Sequence, residues 1–224
     1  EVEFSSALDI TRGRKIFVDA QAGAIVWRFA TAPHASGVGY GEYSGRVTII
    51  TDEYEEGWYR MIDSSAGNSE VHDAYNNTED LEDHLFENNS ANIWGDGDPA
   101  DAVTAAVDAN FAVNETWRYY RDRHGRLGAD GNGTRIKTFV HFGSEYSNAS
   151  GSNSVIVLGD GDGVSYGSFA ALDVVAHEFT HSVVQATSGV PYSGEGGAID
   201  EALCDIFGTA VEFRSGRNPD FLIG

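Results

Sequence analysis

Apolar residues recur at helical spacing in three stretches of the chain and cluster in short β-rich runs elsewhere. From Pro99 to Arg123, Val103, Val107, Phe111 or Asn114, Trp117 and Tyr120 fall near a period of 3.6. Gly125 ends that pattern, which predicts a long helix. Leu172 to Thr187 predicts a second helix, stopped by Gly189 and Pro191, and Ile199 to Phe213 predicts a third. Residues 14–29, RKIFVDAQAGAIVWRF, form two β-rich runs around a polar turn from Asp19 to Gly23, the pattern of a hairpin. Arg46 to Ile62 is a second β-rich region, and Arg135 to Phe142 and Ser154 to Leu158 are further strands. Gly159 to Gly163 turns the chain. Residues 30–45, with Pro33 and many glycines, read as a loop or linker, and 63–100, rich in Asn, Asp, Ser and Gly, as irregular with short elements at best. Strands come first and helices second, without a fixed-period repeat, so the predicted class is α+β.

Composition narrows the possible partners. The 224 residues are enough for one large domain or two smaller ones, and 41% hydrophobic with 12% aromatic content excludes disorder throughout. Thirty-five acids against 14 bases give a net charge of −21, which repels nucleic acid and anionic membrane. That charge suits an exported protein, a calcium binder or a protein living in salt, and the two lysines, Lys15 and Lys137, beside twelve arginines point to a saline habitat. Cys204 is the only cysteine, so there is no internal disulfide and no Cys-based zinc knuckle. No run reaches the length of a membrane span. The chain starts without methionine and stops at Gly224 in mid-pattern, so it reads as a fragment at both ends.

The candidate chemistry lies in VVAHEFTHSVVQ, residues 174–185. On a helix His177 and His181 stand roughly 40° apart, so both imidazoles can reach one ion at about 2.0–2.1 Å. Glu178 is offset from them, toward a water on that ion. The motif alone equally fits an amphipathic helix with two half-buried histidines. A zinc site needs a third protein ligand, and Glu201 stands twenty residues after His181, with Asp205 one helical turn further on. A carboxylate on a second helix can bind the ion while its neighbour orients a ligating imidazole. The alternative is a solvated helix face; against it, the surrounding Ala, Leu, Ile and Phe are apolar, where unpaired carboxylates are costly.

HEFTH followed at that distance by Glu within DEALCDIFG resembles the thermolysin family of secreted zinc endopeptidases. The resemblance implies zinc ligands His177, His181 and Glu201, with Glu178 as general base on a zinc-bound water and Asp205 as the partner of His177. It implies that Tyr192, in GVPYSG, steadies the oxyanion. Asn148 and Ala149, before the strand SNSVIVL, would bind substrate backbone along a sheet edge. Val174 would lie near a pocket for bulky apolar residues, with cleavage on their N-terminal side. One calcium is implied, held by Asp173, Glu212, Asp220 and the carbonyl of Leu222. Four positions depart from the family: Asp200 replaces a usual asparagine, Cys204 replaces another small residue, and Ser150 and Gly151 replace an aromatic pair. Cys204 is expected to be a packed small hydrophobe. Asp96-Gly-Asp98 and Asp160-Gly-Asp162 read as Gly–Asp turns, because the twelfth positions counted from them, Val107 and Ala171, exclude EF-hands. Five Asn-x-Ser/Thr sequons read as loop composition.

Residues 1–34 resemble the C-terminal tail of that family's propeptide, and 35–224 its N-terminal catalytic domain, beginning near GVGYGEYSG. Maturation of such a zymogen would cut between Ala30 and Ser36, with His34–Ala35 the favoured bond. The family's helical C-terminal domain, with its substrate-binding arginine and a histidine for the intermediate, is absent; His72, His84, His124 and His141 all precede the zinc helix. The expected protein is a secreted, monomeric zinc metalloendopeptidase acting on peptides and proteins, with its own propeptide as partner and no nucleic acid or membrane partner. The alternative is a non-catalytic zinc- and calcium-binding fragment lacking the second cleft wall. A third reading keeps the metal and hydrolyses a non-peptide bond.

Overall fold

A computed structural model describes residues 2–3, 14–18, 25–30 and 34–224, excepting 80, 90 and 218, with the backbone alone before residue 35. Three short strands, β1 (Val2–Glu3), β2 (Arg14–Val18) and β3 (Ile25–Ala30), pair antiparallel in that order. β2 and β3 are the hairpin expected over residues 14–29, with Arg14 opposite Ala30. Its turn lies outside the described residues.

The chain continues through β4 (His34–Tyr40), β5 (Arg46–Glu55), β6 (Trp58–Arg60), β7 (Ile62–Asp63), β8 (Ser69–Asp73), β9 (Glu87–Asn88) and β10 (Ile93–Trp94). Then come α1 (Ala102–His124), β11 (Lys137–Val140), β12 (Ala149–Ser152), β13 (Val155–Leu158), α2 (Leu172–Thr187) and α3 (Gly194–Ser215). One sheet has the order β10-β4-β5-β6-β9 and the other β12-β13-β11-β8-β7. In the second, β13, β11 and β8 are parallel, while β12 and β7 run antiparallel on the two edges. The class is α+β, with strands leading and three helices among the described residues. None of these helices is long and apolar enough to cross a membrane.

Four expectations need correction. The stretch 30–45, expected as loop, contains β4. Its glycines mark close packing: a Cβ on Gly37 would stand 2.4 Å from Asn92 Oδ1, and one on Gly39 2.6 Å from Val107 Cγ1. The stretch 63–100, expected as irregular, supplies β8, a strand inside the second sheet. SEVHD carries no apolar alternation because its polar groups find partners. Ser69 Oγ reaches Asn114 Oδ1 at 2.5 Å, and Glu70 and His72, 6% and 2% exposed, pair with each other at 3.2 Å. The strand expected at Ser154 to Leu158 is β13, but it is not the edge: the chain folds back where Asn153 and Ser154 both adopt positive φ (49° and 64°), so β12 covers it and forms the edge instead. The third helix begins at Gly194, five residues before its apolar repeat does.

α1 is the central beam. Asp101 caps its start by accepting the N–H of Val103, and left-handed Gly125 ends it, as the sequence predicts. Val107 and Val113 of α1 are buried with Val47, Ile49, Val71 and Ile156 from the two sheets. α2 docks on α1 through Tyr120, whose ring stacks on Phe179 at 5.6 Å and whose hydroxyl lies 2.8 Å from Thr180 Oγ1. α3 crosses α2 closely at Gly208, where a Cβ would stand 2.7 Å from the Asp173 carbonyl oxygen. These two contacts fix the helices that carry the site.

Candidate metal centre

α2 presents His177 and His181 one turn apart, their ring centroids 4.8 Å apart and nearly perpendicular. Each ring is held from behind through Nδ1. His177 Nδ1 lies 2.8 Å from Asp205 Oδ1, and His181 Nδ1 lies 3.0 Å from Asp200 Oδ1. An Nδ1–H donated to a carboxylate leaves the Nε2 lone pair free for a metal. Both Nε2 atoms turn to Glu201 of α3, at 3.1 Å to Oε2 for His177 and 3.7 Å to Oε1 for His181. Four ligands about 2.0–2.1 Å from a tetrahedral ion stand roughly 3.3–3.4 Å from one another. Two nitrogens and a carboxylate at these separations fit zinc, and Glu201 and Asp205, though partly exposed, both reach His177.

Sequence reasoning noted Asp200 only as a departure from the family, and the structure places it on His181. Cys204 is buried as expected, at 0% exposed, but it is not merely a small hydrophobe. Its Sγ lies 3.3 Å from His181 Nδ1 and 3.5 Å from Asp200 Oδ1. His177, His181 and Cys204 thereby also form a group with one donor atom each within 4.8 Å. The sulfur approaches the nitrogen of His181 that carries the Asp200 contact, however, while the other nitrogen meets Glu201. Burial, reinforced by the charge of Asp200, pushes the thiol pKa up, and the S–H is placed to donate to Asp200 Oδ1.

Glu178 faces a cleft of about 700 Å³ that also receives Asn148, Ala149, His177, His181, Tyr192 and Glu201. Burial raises its carboxyl pKa; His177, His181 and an amide of Gly151 oppose that rise. Tyr192 is 66% exposed, sets its ring edge-on to His181 at 5.7 Å and donates its hydroxyl to Glu201 Oε1. Its phenol is pushed up to about 12, first by that hydrogen bond. Asn148 and Ala149 lie at the start of the edge strand β12. A smaller recess of about 430 Å³ adjoins His177 and Glu178, walled by Val174, Phe169, Tyr166 and Ile223.

Asp173, Glu212, Asp220 and Leu222 share a separate recess of about 590 Å³. Asp173 Oδ2 accepts the N–H of Gly224 at 2.7 Å, Glu212 Oε2 that of Asp220 at 3.3 Å, and Asp220 Oδ1 that of Leu222 at 2.6 Å. Burial raises the Glu212 pKa, and the charges of Asp173 and Asp220 add to the effect. Sequence reasoning missed Asp108 at the back of this recess. It sits buried on α1 and accepts from the amides of Glu42, Tyr43 and Ser44 and from Ser44 Oγ, all within 3.2 Å. The signal was an acid set among the alanines and valines of α1. His141 also gains a place: Nδ1 meets Asp160 at 2.8 Å and Nε2 meets the Ala102 carbonyl at 2.9 Å, joining β11 to the start of α1. Asp162 accepts the amides of Val164, Ser165 and Tyr166, the turn expected of Gly-Asp-Gly.

The model of the thermolysin metallopeptidase catalytic domain matches residues 36–185. A bacillolysin of Bacillus caldolyticus is 47% identical over 136 residues, 59% of this chain and 25% of that one. The transglutaminase-activating metalloprotease of Streptomyces mobaraensis is 37% identical over 215 residues, 93% of this chain and 27% of that one. Among solved structures, the precursor of protealysin, a metalloproteinase from Serratia proteamaculans, superposes with a TM-score of 0.58 at 31% identity, covering 70% of this chain and 48% of that one. The chain thus spans about a quarter of the length of the curated relatives it matches first. It belongs to the thermolysin family of metallopeptidases.

Proposed function

We propose that this chain is the zinc-bearing part of a secreted endopeptidase that cleaves before bulky hydrophobic residues. The observation that carries the reading is the meeting of both Nε2 atoms with Glu201 beside the buried carboxyl of Glu178. His177, His181 and Glu201 would hold zinc, which supplies Lewis acidity and lowers the pKa of water toward about 7. Glu178, on the cleft wall with a raised pKa, takes a proton from the attacking water and returns it to the leaving amine. Tyr192 has its hydroxyl at the rim of the donor set; released from Glu201, it donates to the developing oxyanion. Edge strand β12 offers its main chain to an extended peptide at Asn148 and Ala149. The recess beside Val174 and Phe169 receives the apolar side chain after the cut bond. Asp173, Glu212, Asp220 and Leu222 would hold one calcium, which demands hard oxygen ligands. Residues 1–34 act as the propeptide tail, with the cut at or near His34–Ala35, and the mature protein works outside the cell as a monomer.

Zinc stoichiometry and cleavage of an unstructured peptide, measured on wild type and Glu178→Ala, test this reading. One zinc in each, with cleavage in the wild type alone, supports it. Zinc in both and negligible cleavage in both favours the second reading, a non-catalytic metal-binding fragment. A chain that takes up no zinc removes both.

A further inference from the structure

α3 presents two parallel pairs of residues one turn apart to the two histidines of α2. Glu201 and Asp205 meet His177 from its two sides, at Nε2 and Nδ1. Asp200 and Cys204, on the neighbouring stripe of the same helix, both address His181 at Nδ1. We propose that Asp200 is a positioning residue for His181, so that each imidazole of the centre is backed by a carboxylate of its own. The proposal rests on the zinc reading above, and it concerns a residue at which this chain departs from the asparagine that its family resemblance predicts.

Asp200 is 6% exposed, and His181 and Cys204 are its side-chain partners. A carboxylate 3.0 Å from Nδ1 accepts that nitrogen's N–H and fixes the ring with Nε2 turned to Glu201. A divalent ion on Nε2 draws electron density from the ring and strengthens that hydrogen bond. Asp200 therefore favours the metal-loaded state over the metal-free one, and this sets it apart from a residue that only packs. An amide at the same position would keep the hydrogen bond to Nδ1 and the shape, and remove the charge. Cys204 completes the arrangement from behind, its sulfur 3.5 Å from the Asp200 oxygen.

The test compares the full-length protein with its Asp200→Asn and Cys204→Ser variants by three measurements: zinc transfer to a chromophoric chelator, thermal unfolding of the metal-free forms, and the absorption spectrum of the cobalt(II) forms. Partners of this kind typically change metal affinity about 10–100-fold. Asp200→Asn is expected to release zinc about tenfold or more readily, while its metal-free midpoint stays level or rises. The cobalt spectrum should lack intense near-ultraviolet sulfur bands and stay unchanged in Cys204→Ser. Wild-type zinc retention in Asp200→Asn overturns the proposal, and so does a metal-free midpoint that falls in step with zinc loss, since that marks a packing role. A sulfur band that vanishes in Cys204→Ser also overturns it, placing the thiolate rather than the Asp200-backed ring on the metal. A wild type that takes up no zinc overturns the zinc reading itself, and the proposal with it.

Discussion

Gly151 of β12 lies flat against the main chain of Glu178: a Cβ at position 151 would stand 2.0 Å from the Glu178 carbonyl oxygen. The edge strand therefore rests directly on the helix of the metal centre. The amides of Asn153 and Ser154 add to this by donating to Gln185 Oε1 and Ser182 Oγ. Gly151→Ala should push β12 away from α2 at a cost of about 1–3 kcal/mol, the range for overpacking. The urea midpoint is expected to fall and, on the function proposed above, kcat/KM on peptides to fall with it, since both the edge strand β12 and Glu178 move.

Glu178→Gln keeps the size of the side chain and removes its ability to carry a proton. General acid–base groups contribute about 10²–10⁴-fold. Turnover should drop by that order while zinc content and the unfolding midpoint hold. Unchanged turnover would mean that another group takes the proton.

Asp108 gathers four donors from residues 42–44, and Tyr43 in turn donates to the Ser168 carbonyl at 2.8 Å, tying that loop to a segment beside the apolar recess. Asp108→Ala strands these amides, and hydrogen bonds to charged groups are worth about 1.5–3 kcal/mol each, although they do not simply add. We expect a loss of roughly 3 kcal/mol in chemical denaturation, with Asp108→Asn intermediate.

His141 gives a pH dependence. Burial opposes its charge, but Asp160 and the Ala102 carbonyl outweigh burial and raise its pKa above the ordinary 6.5. The stabilisation is therefore complete below about pH 6.5 and is lost as the pH rises through the folded-state value. His141→Gln should lower the melting temperature more at about pH 6 than at about pH 9. A gap that is constant with pH would contradict this account.

Calcium supplied at about a hundred times its dissociation constant adds roughly 2.7 kcal/mol to a protein that binds it only when folded. For a chain of this size that is about 5–10 °C. Removing calcium should lower the melting temperature by this order, and Glu212→Gln should abolish the difference. Equal melting curves with and without calcium in the wild type would remove calcium from the recess.

α1 was legible because its larger apolar residues, Val107, Trp117 and Tyr120 among them, recur at helical spacing and Gly125 closes the pattern, although Asp108, Asn110 and Asn114 are buried with them. β8 was hidden because its two faces are filled by Ser69, Glu70 and His72, whose partners lie up to 65 residues away in the chain. β4 was hidden because the glycines that look like a linker are the ones that admit Asn92 and Val107. In the site, His177, Glu178, His181 and Glu201 could be read from spacing. Asp200 could be read only as a substitution, since its role depends on how α3 is rolled against α2. Asp108 carries no motif at all; its function is defined by three amides of a distant loop.

The close crossing at Gly208 has a consequence for how this scaffold can vary. The carbonyl of Asp173 on α2 leaves no room for a side chain there, so α2 and α3 form a calliper with its pivot at residue 208 and its jaws at His181 and Glu201. A methyl group at the pivot would stand 2.7 Å from the Asp173 carbonyl oxygen and 3.5 Å from the His177 amide nitrogen, prising α3 off α2 at the root of the first histidine. Loosening of the contacts between the two histidines and Glu201 is thus the form in which damage at Gly208 would show itself, well before the core around α1 gave way.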